Sequence, residues 1–183
     1  SASLTASCNP CHGALGTGRD VGAFPKLAGQ RSDYFIASLE AFAAGERHSG
    51  MMGPIAEGLS SKQITELAHH YARLKSSASR IHATQKSVER GEANSMQGIP
   101  TQNVPACIKC HDASNASRNP FTPELAGQYA EYLVLQLTLF QQERRGGLHA
   151  HLMEPVAKAL TAEQMSDVAN YYASQTPYVA PAK

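Results

Sequence analysis

Tryptophan is absent from this chain of 183 residues, cysteine occurs only four times, and the formal net charge is +1 at pH 7. So small a charge argues against a nucleic-acid binder, which usually carries a basic stripe. No stretch approaches about eighteen consecutive apolar residues, so the sequence predicts no transmembrane helix. The first residues show no charged segment and no long apolar core, so we expect any signal peptide to have been removed.

The composition nevertheless predicts a folded, helical protein. Hydrophobic residues make up 42% of the chain, which is not a disordered composition. No segment alternates apolar and polar residues as a strand does, whereas several segments repeat apolar residues at helical spacing. We therefore predict an all-α fold.

The four cysteines lie in two short motifs, each a CxxC pair followed directly by histidine. The first is Cys8, Cys11 and His12, and the second is Cys107, Cys110 and His111. Four cysteines could form two disulfides, and CxxC pairs also bind zinc. A shared zinc site would have to span the 95 residues between the pairs, and neither alternative explains the repeated histidine. CxxCH is the attachment motif of a c-type haem.

The CxxCH spacing suits haem attachment because residues i, i+3 and i+4 share one face of a helix. Two cysteine sulfurs on that face can form thioethers with one porphyrin edge, and the histidine can then bind the iron. Two motifs with no cysteine left over predict two covalently attached haems. The disulfide and zinc interpretations remain as lesser alternatives.

The two halves of the chain repeat one another. Leu-Ala-Gly-Gln at residues 27–30 recurs at residues 125–128, and the segment 51–74 matches 152–175 at a slightly larger offset. Three extra residues therefore lie in the second copy, near Arg144–Ala150. A period of this length indicates two homologous domains rather than a solenoid.

From the repeat we predict one mono-haem domain over residues 1–78 and another over 79–183, with a linker at about 75–87. The serine-rich linker leads into a short predicted helix at about 86–97. Only seven residues precede Cys8, so the equivalent helix of the first domain is expected to be incomplete. Domains this small have marginal cores, so we expect the chain without haem to be poorly folded.

The repeat also supplies a candidate for the sixth iron ligand. Met52 aligns with Met153, and a methionine thioether is a soft iron ligand that raises the potential of the haem. A single methionine at such a place would usually fill a core gap. The rival ligands are His48, His149 and His151, which lie near the methionines but do not align with one another.

Taken together, these motifs resemble the di-haem cytochrome c4 family, whose members are tandem class I cytochromes c. The resemblance runs from Cys8 to about Ser174 and covers both CxxCH motifs, both Leu-Ala-Gly-Gln stretches and both methionine segments. It implies two cytochrome c domains packed about a pseudo-twofold axis, with the haem propionates near the interface. It implies that the iron ligands are His12, Met52, His111 and Met153.

The resemblance also assigns two prolines and a function. Pro25 and Pro123 match the position whose carbonyl accepts a hydrogen bond from the proximal histidine. The implied function is a periplasmic electron carrier, often membrane-associated, between a dehydrogenase or quinol-oxidising complex and a terminal acceptor or oxidase. No small-molecule substrate is expected. We also expect the two haems to have unequal potentials, since the insertion alters the second distal loop.

Two alternative functions are carried forward. The chain could be the electron-accepting subunit of a larger redox enzyme, such as a flavocytochrome sulfide dehydrogenase or a thiosulfate or alcohol dehydrogenase. A di-haem peroxidase or a ligand sensor would need an open sixth position on one haem, which the matched methionines oppose.

Overall fold

The computed structural model describes residues 2–19, 24–115, 119–147 and 149–177. Within these ranges the chain forms α-helices and short 3-10 turns, with no β-strand. The helices are α1 (Ala2–Ala6), α2 (Asn9–His12), α3 (Ser32–Ala43), α4 (Met52–Glu57), α5 (Ser61–Ala72), α6 (Gln85–Gln97), α7 (Ile108–His111), α8 (Ala130–Gln141), α9 (Glu154–Ala159) and α10 (Ala162–Ser174). The all-α prediction is confirmed.

In the first domain, α3 packs against α4 and α5, and α1 lies against α5. The buried core comprises Phe35, Leu39, Ala56, Ile64, Leu67, Ala68 and Tyr71. Helix α5 begins at a capping box, in which the Ser60 side chain accepts from the Gln63 N–H and the Gln63 side chain accepts from the Ser60 N–H. Helix α1, five residues long, lies before Cys8.

The second domain repeats this arrangement, since α8 packs against α9 and α10. Helix α10 begins with the same capping box, formed by Thr161 and Gln164. Helix α6 corresponds to the helix predicted at 86–97, and it packs along α10 as α1 packs on α5. No helix in the described ranges is long and apolar enough to cross a membrane.

The contacts between the domains are reciprocal. The Arg47 guanidinium donates to the Tyr132 hydroxyl at 2.7 Å, and the Arg145 guanidinium donates to the Tyr34 hydroxyl at 2.6 Å. The backbones of the two arginines form an isolated antiparallel bridge. Arg47 and Arg145 occupy equivalent positions in the two repeats, and so do Tyr34 and Tyr132, so the same contact forms twice. This reciprocity confirms the pseudo-twofold relation between the domains.

The linker is bonded to the second domain. The Ser79 N–H donates to the Ala173 carbonyl at 2.8 Å, and its hydroxyl donates to the Gly127 carbonyl at 2.7 Å. The Lys26 ammonium reaches the Ser77 carbonyl from the first domain. These bonds fix the path of the linker, while the boundary at residues 78 and 79 stays a prediction.

Candidate haem sites

The first CxxCH motif forms the short helix α2, and Cys8 is the residue at its amino end. The His12 N–H donates to the Cys8 carbonyl at 2.9 Å, which is the bond that closes the helical turn. Cys8, Cys11 and His12 therefore lie on one face, as haem attachment requires. Both thiols are unpaired, so the disulfide interpretation of this motif is wrong.

The His12 ring is buried, with 7% of its surface exposed, and is oriented by one hydrogen bond. Its Nδ1 lies 2.9 Å from the Pro25 carbonyl oxygen, which can only accept, so Nδ1 carries the proton. This tautomer leaves Nε2 with a free lone pair for a metal. Burial lowers the pKa of His12, against the opposing effect of the Pro25 bond, and so favours the neutral ring that a metal needs.

The second motif repeats the first. Cys107 precedes α7, and the His111 N–H donates to the Cys107 carbonyl at 2.9 Å. The Nδ1 of His111 lies 3.3 Å from the Pro123 carbonyl oxygen, a longer bond than the corresponding bond of His12. Cys107 and Cys110 are also unpaired thiols.

The two methionines occupy equivalent places. Met52 is the first residue of α4 and Met153 directly precedes α9. Met52 packs on the buried core of the first domain, and Cys8 packs on the same core. Met165, by contrast, is 5% exposed inside the second core, as a purely structural methionine would be.

The rival histidines do not occupy equivalent places. His48 has an exposed side chain, and its backbone N–H donates to the Arg144 carbonyl. His149 precedes a 3-10 turn, Ala150–Leu152, and His151 lies within it; this turn has no counterpart among the described residues of the first domain. The His149 ring lies against Phe121, with 5.4 Å between ring centroids.

Two further observations test whether these residues suit a haem. The Tyr71 hydroxyl is fully buried beside Cys8 and has no hydrogen-bond partner among the described residues. Burial and the neighbouring Cys8 thiol both raise the pKa of Tyr71, which keeps the phenol neutral. The described ranges hold no cluster of three or more His, Cys, Asp or Glu side chains that could bind a metal ion, so the zinc interpretation is not supported. The motif residues fit a covalently attached haem.

The interface adds two buried cations. Arg47 is 5% exposed and Arg145 is 8% exposed, and each guanidinium also stacks on a phenylalanine ring of its own domain. Their hydrogen-bond partners in the described part of the chain are neutral, namely tyrosine hydroxyls and the Gln136 side chain. A buried charge needs a counter-charge, and an anionic haem propionate would supply one.

Sequence reasoning gave no role to these arginines, nor to Gln30 and Gln128, which also cross the interface. All four recur at the same offset as the Leu-Ala-Gly-Gln repeat. Polar residues that repeat at equivalent positions in both copies are the signal that could have identified them.

Comparisons with known proteins agree with this geometry. The cytochrome c family model matches residues 101–176. The thiosulfate dehydrogenase electron acceptor of Thiomonas intermedia (strain K12) is 35% identical, over 93% of this chain and 79% of that protein. Cytochrome c4 of Pseudomonas aeruginosa is 30% identical, over 91% of this chain and 82% of that protein.

A solved structure extends the likeness to the arrangement of the domains. Reduced recombinant cytochrome c4 from Pseudomonas stutzeri superposes with a TM-score of 0.83 at 29% identity, covering 94% of this chain and 95% of that chain. The described site and these likenesses establish an electron-transfer protein with covalently attached haem c, rather than an enzyme. The chain therefore belongs to the di-haem cytochrome c4 family.

Proposed function

We propose that this protein is a periplasmic carrier that holds two haems and exchanges single electrons with redox protein partners. Haem attaches at Cys8 and Cys11 in the first domain and at Cys107 and Cys110 in the second. The axial ligands are His12 with Met52 and His111 with Met153. Each haem, when bound, supplies reversible one-electron chemistry.

The observation that carries this proposal is the duplication of a complete ligand set. Each domain offers two unpaired thiols, a histidine whose Nδ1 is hydrogen-bonded to a proline carbonyl, and a methionine at the start of a helix. A filled sixth position leaves no place for a substrate on the iron, which suits electron exchange and opposes the peroxidase and sensor alternatives. Methionine ligation also favours a high potential.

The surrounding residues contribute orientation and charge. The hydrogen bonds to Pro25 and Pro123 fix the histidine rings and raise their basicity as ligands. The buried guanidinium groups of Arg47 and Arg145 provide positive charge at the interface, where the propionates would lie. Their tyrosine partners hold them there from the opposite domain.

The relatives favour one class of donor. Because one relative is named a thiosulfate dehydrogenase electron acceptor, we propose a sulfur-compound dehydrogenase as donor and a terminal acceptor or oxidase as the next partner. The same relative keeps open a role as the accepting subunit of such an enzyme. Rapid mixing of the oxidised protein with a thiosulfate dehydrogenase and thiosulfate tests both. A second-order reduction rate supports the free carrier, and co-elution as a stable complex on gel filtration supports the subunit.

Ligand variants test the proposed site directly. The far-red absorption band of ferric haem reports a bound methionine sulfur, so Met52→Ala and Met153→Ala should each remove about half of this band, because each variant affects one of two sites. Met51→Ala is the matched control, since Met51 is adjacent to Met52 but 54% exposed. The control should keep the full band.

Carbon monoxide gives a second test. The reduced wild-type protein should not bind it at neutral pH, whereas each ligand variant should bind it at one haem. A wild-type protein that binds carbon monoxide has an open or displaceable sixth site, and the carrier proposal would then give way to a sensor or catalyst. A Met153→Ala variant with an unchanged band would point to His149 or His151 as the ligand of the second haem.

A further inference from the structure

The repeated Leu-Ala-Gly-Gln stretch forms a tight turn that carries its glutamine across the domain interface. Gly29 and Gly127 adopt φ of +73° and +75°, a region that favours glycine, and the glutamine N–H closes each turn onto the leucine carbonyl. The glutamine side chains are almost fully buried, with Gln30 9% and Gln128 7% exposed. Buried amides at these places require partners.

Each glutamine binds the backbone of one residue in the other domain through both of its polar atoms. Gln128 Oε1 accepts from the Lys26 N–H at 3.0 Å, and Gln128 Nε2 donates to the Lys26 carbonyl at 3.0 Å. Gln30 does the same with Glu124, at 2.9 Å and 3.2 Å. Each Oε1 also accepts from the next backbone N–H of its own domain, so the bonding pattern fixes which side-chain atom is oxygen.

The peptide groups bound in this way are those that hold the proximal histidines. The carbonyl of the Pro25–Lys26 peptide accepts from His12 Nδ1 at 2.9 Å, and the N–H of the same peptide donates to Gln128. The Pro123–Glu124 peptide likewise joins His111 to Gln30. One planar peptide therefore lies between each proximal histidine and a glutamine of the opposite domain.

Hydrogen bonds through one peptide strengthen each other. When the N–H donates, electron density moves to the carbonyl oxygen, which becomes a better acceptor. A better acceptor at Pro25 draws the Nδ1 proton of His12 more strongly, so the ring becomes a more basic ligand. A more basic ligand stabilises the ferric state and lowers the reduction potential.

We propose that Gln30 and Gln128 are positioning residues that act across the domain interface, each lowering the reduction potential of the haem in the other domain. The inference rests on the proposed axial ligands. It links the interface to the electronics of both haems, because any change in the packing of the two domains alters both peptide–glutamine bonds.

The test is a pair of isosteric variants with separate potentials measured for the two haems. Gln128→Met removes the bond to Lys26 and should raise the potential of the first haem, with little change at the second. Gln30→Met should do the reverse. We expect a three- to tenfold change in the reduction equilibrium, about 30 to 60 mV at 59 mV per tenfold for one electron. Combination with Met52→Ala or Met153→Ala assigns each potential to its domain.

Two controls separate tuning from a general loss of structure. Gln63→Met removes a glutamine side-chain bond at the cap of α5, away from the interface, and should move neither potential. Gln128→Glu keeps both accepted N–H bonds and loses only the donation to the Lys26 carbonyl, so it should not raise the first potential. Amide hydrogen exchange at Lys26 verifies that Gln128→Met has broken the intended bond.

Several results would overturn the inference. One is a shift confined to the domain that carries the substitution, and another is an equal shift of both haems in both methionine variants. Faster exchange at Lys26 with no change in either potential would also reject it and leave the glutamines a structural role only. If neither haem of the wild-type protein contributes to the far-red methionine band, the proposed axial ligands are wrong. That result does not depend on the glutamine variants, so failure of the proposed ligands is distinguishable from failure of the glutamine inference.

Discussion

Gly91 lies where α6 approaches the backbone of α10 closely, and Gly91→Ala perturbs that contact with a single methyl group. A Cβ built at Gly91 would lie 2.0 Å from the Asp167 carbonyl oxygen, 2.6 Å from its carbonyl carbon and 2.9 Å from the Tyr171 Cβ. Ordinary contact between these atoms needs about 3.4 Å, so the helices must move apart by more than an ångström. Backbone atoms of a packed helix cannot move aside individually.

Two effects of opposite sign determine how much Gly91→Ala changes the free energy of unfolding. Alanine is favoured over glycine within a helix by about 1 kcal/mol, so an open site would become more stable. Overpacking costs about 1–3 kcal/mol and sometimes more, and here it also separates the buried polar contacts of Ser87 and Ser95 with α10. We expect overpacking to win, with a net loss of about 2 kcal/mol, or about 10 °C in Tm for a domain of this size.

Thermal unfolding of the holoprotein, followed by far-ultraviolet circular dichroism, measures this loss. Gly58→Ala is the control, because a Cβ there meets only ordinary contacts, the nearest atom being 3.6 Å away. A Gly91→Ala protein with a Tm equal to or above that of wild type would refute the close packing of α6 on α10.

Three further predictions concern the second domain, the interface and the haem. Asp167→Asn should cost about 2 kcal/mol in denaturant unfolding, because the buried carboxylate accepts two charge-assisted bonds from Arg90; an unchanged midpoint would contradict it. Burial would raise the pKa of Tyr34, but the charges of Arg145 and Arg47 outweigh it and hold the pKa at about 8 instead of 10.0. Ionised Tyr34 therefore stabilises the folded protein. This stabilisation is complete above the ordinary pKa of 10.0 and is lost as the pH falls through 8. The free energy of unfolding of the wild-type protein, relative to that of Tyr34→Phe, should therefore rise between pH 8 and pH 10. A difference that does not change with pH would argue against a lowered pKa of Tyr34. Protein expressed without haem attachment should show weak helical dichroism and no cooperative unfolding, whereas a native-like spectrum would show that the core suffices alone.

The elements that can be predicted from the sequence are those that depend on residues close together in the chain. The capping boxes at Ser60 and Thr161 depend on residues three apart in the sequence, and both helices begin at these boxes. The CxxCH helices are local in the same way. The helix predicted at 86–97 is α6, displaced by a single residue at its start.

The face by which α6 packs could not be predicted from apolar periodicity. Its buried residues are Ser87, Gly91 and Ser95, which are small rather than apolar. Their spacing of four places them on one side of the helix, but only the partner helix shows that this side is covered. The large side chain at this contact is Tyr172 of α10, whose hydroxyl lies 2.6 Å from the Ser95 Oγ.

The interface residues were missed for a related reason. Gln30, Gln128, Arg47 and Arg145 bind residues far along the chain, and their roles depend on how two finished domains meet. The repeat could identify these positions as equivalent but could not say which atoms they bind. The axial ligands and the domain boundary stay predictions of the sequence.

A potentiometric titration of the holoprotein, followed in the haem bands and the far-red methionine band, tests the central claim of two haems with histidine and methionine ligands. The protein should take up two electrons per chain in two separate one-electron waves at positive potentials. Both ferric haems should contribute to the far-red band. A single electron per chain, a high-spin haem or a wave that lacks the methionine band would contradict it.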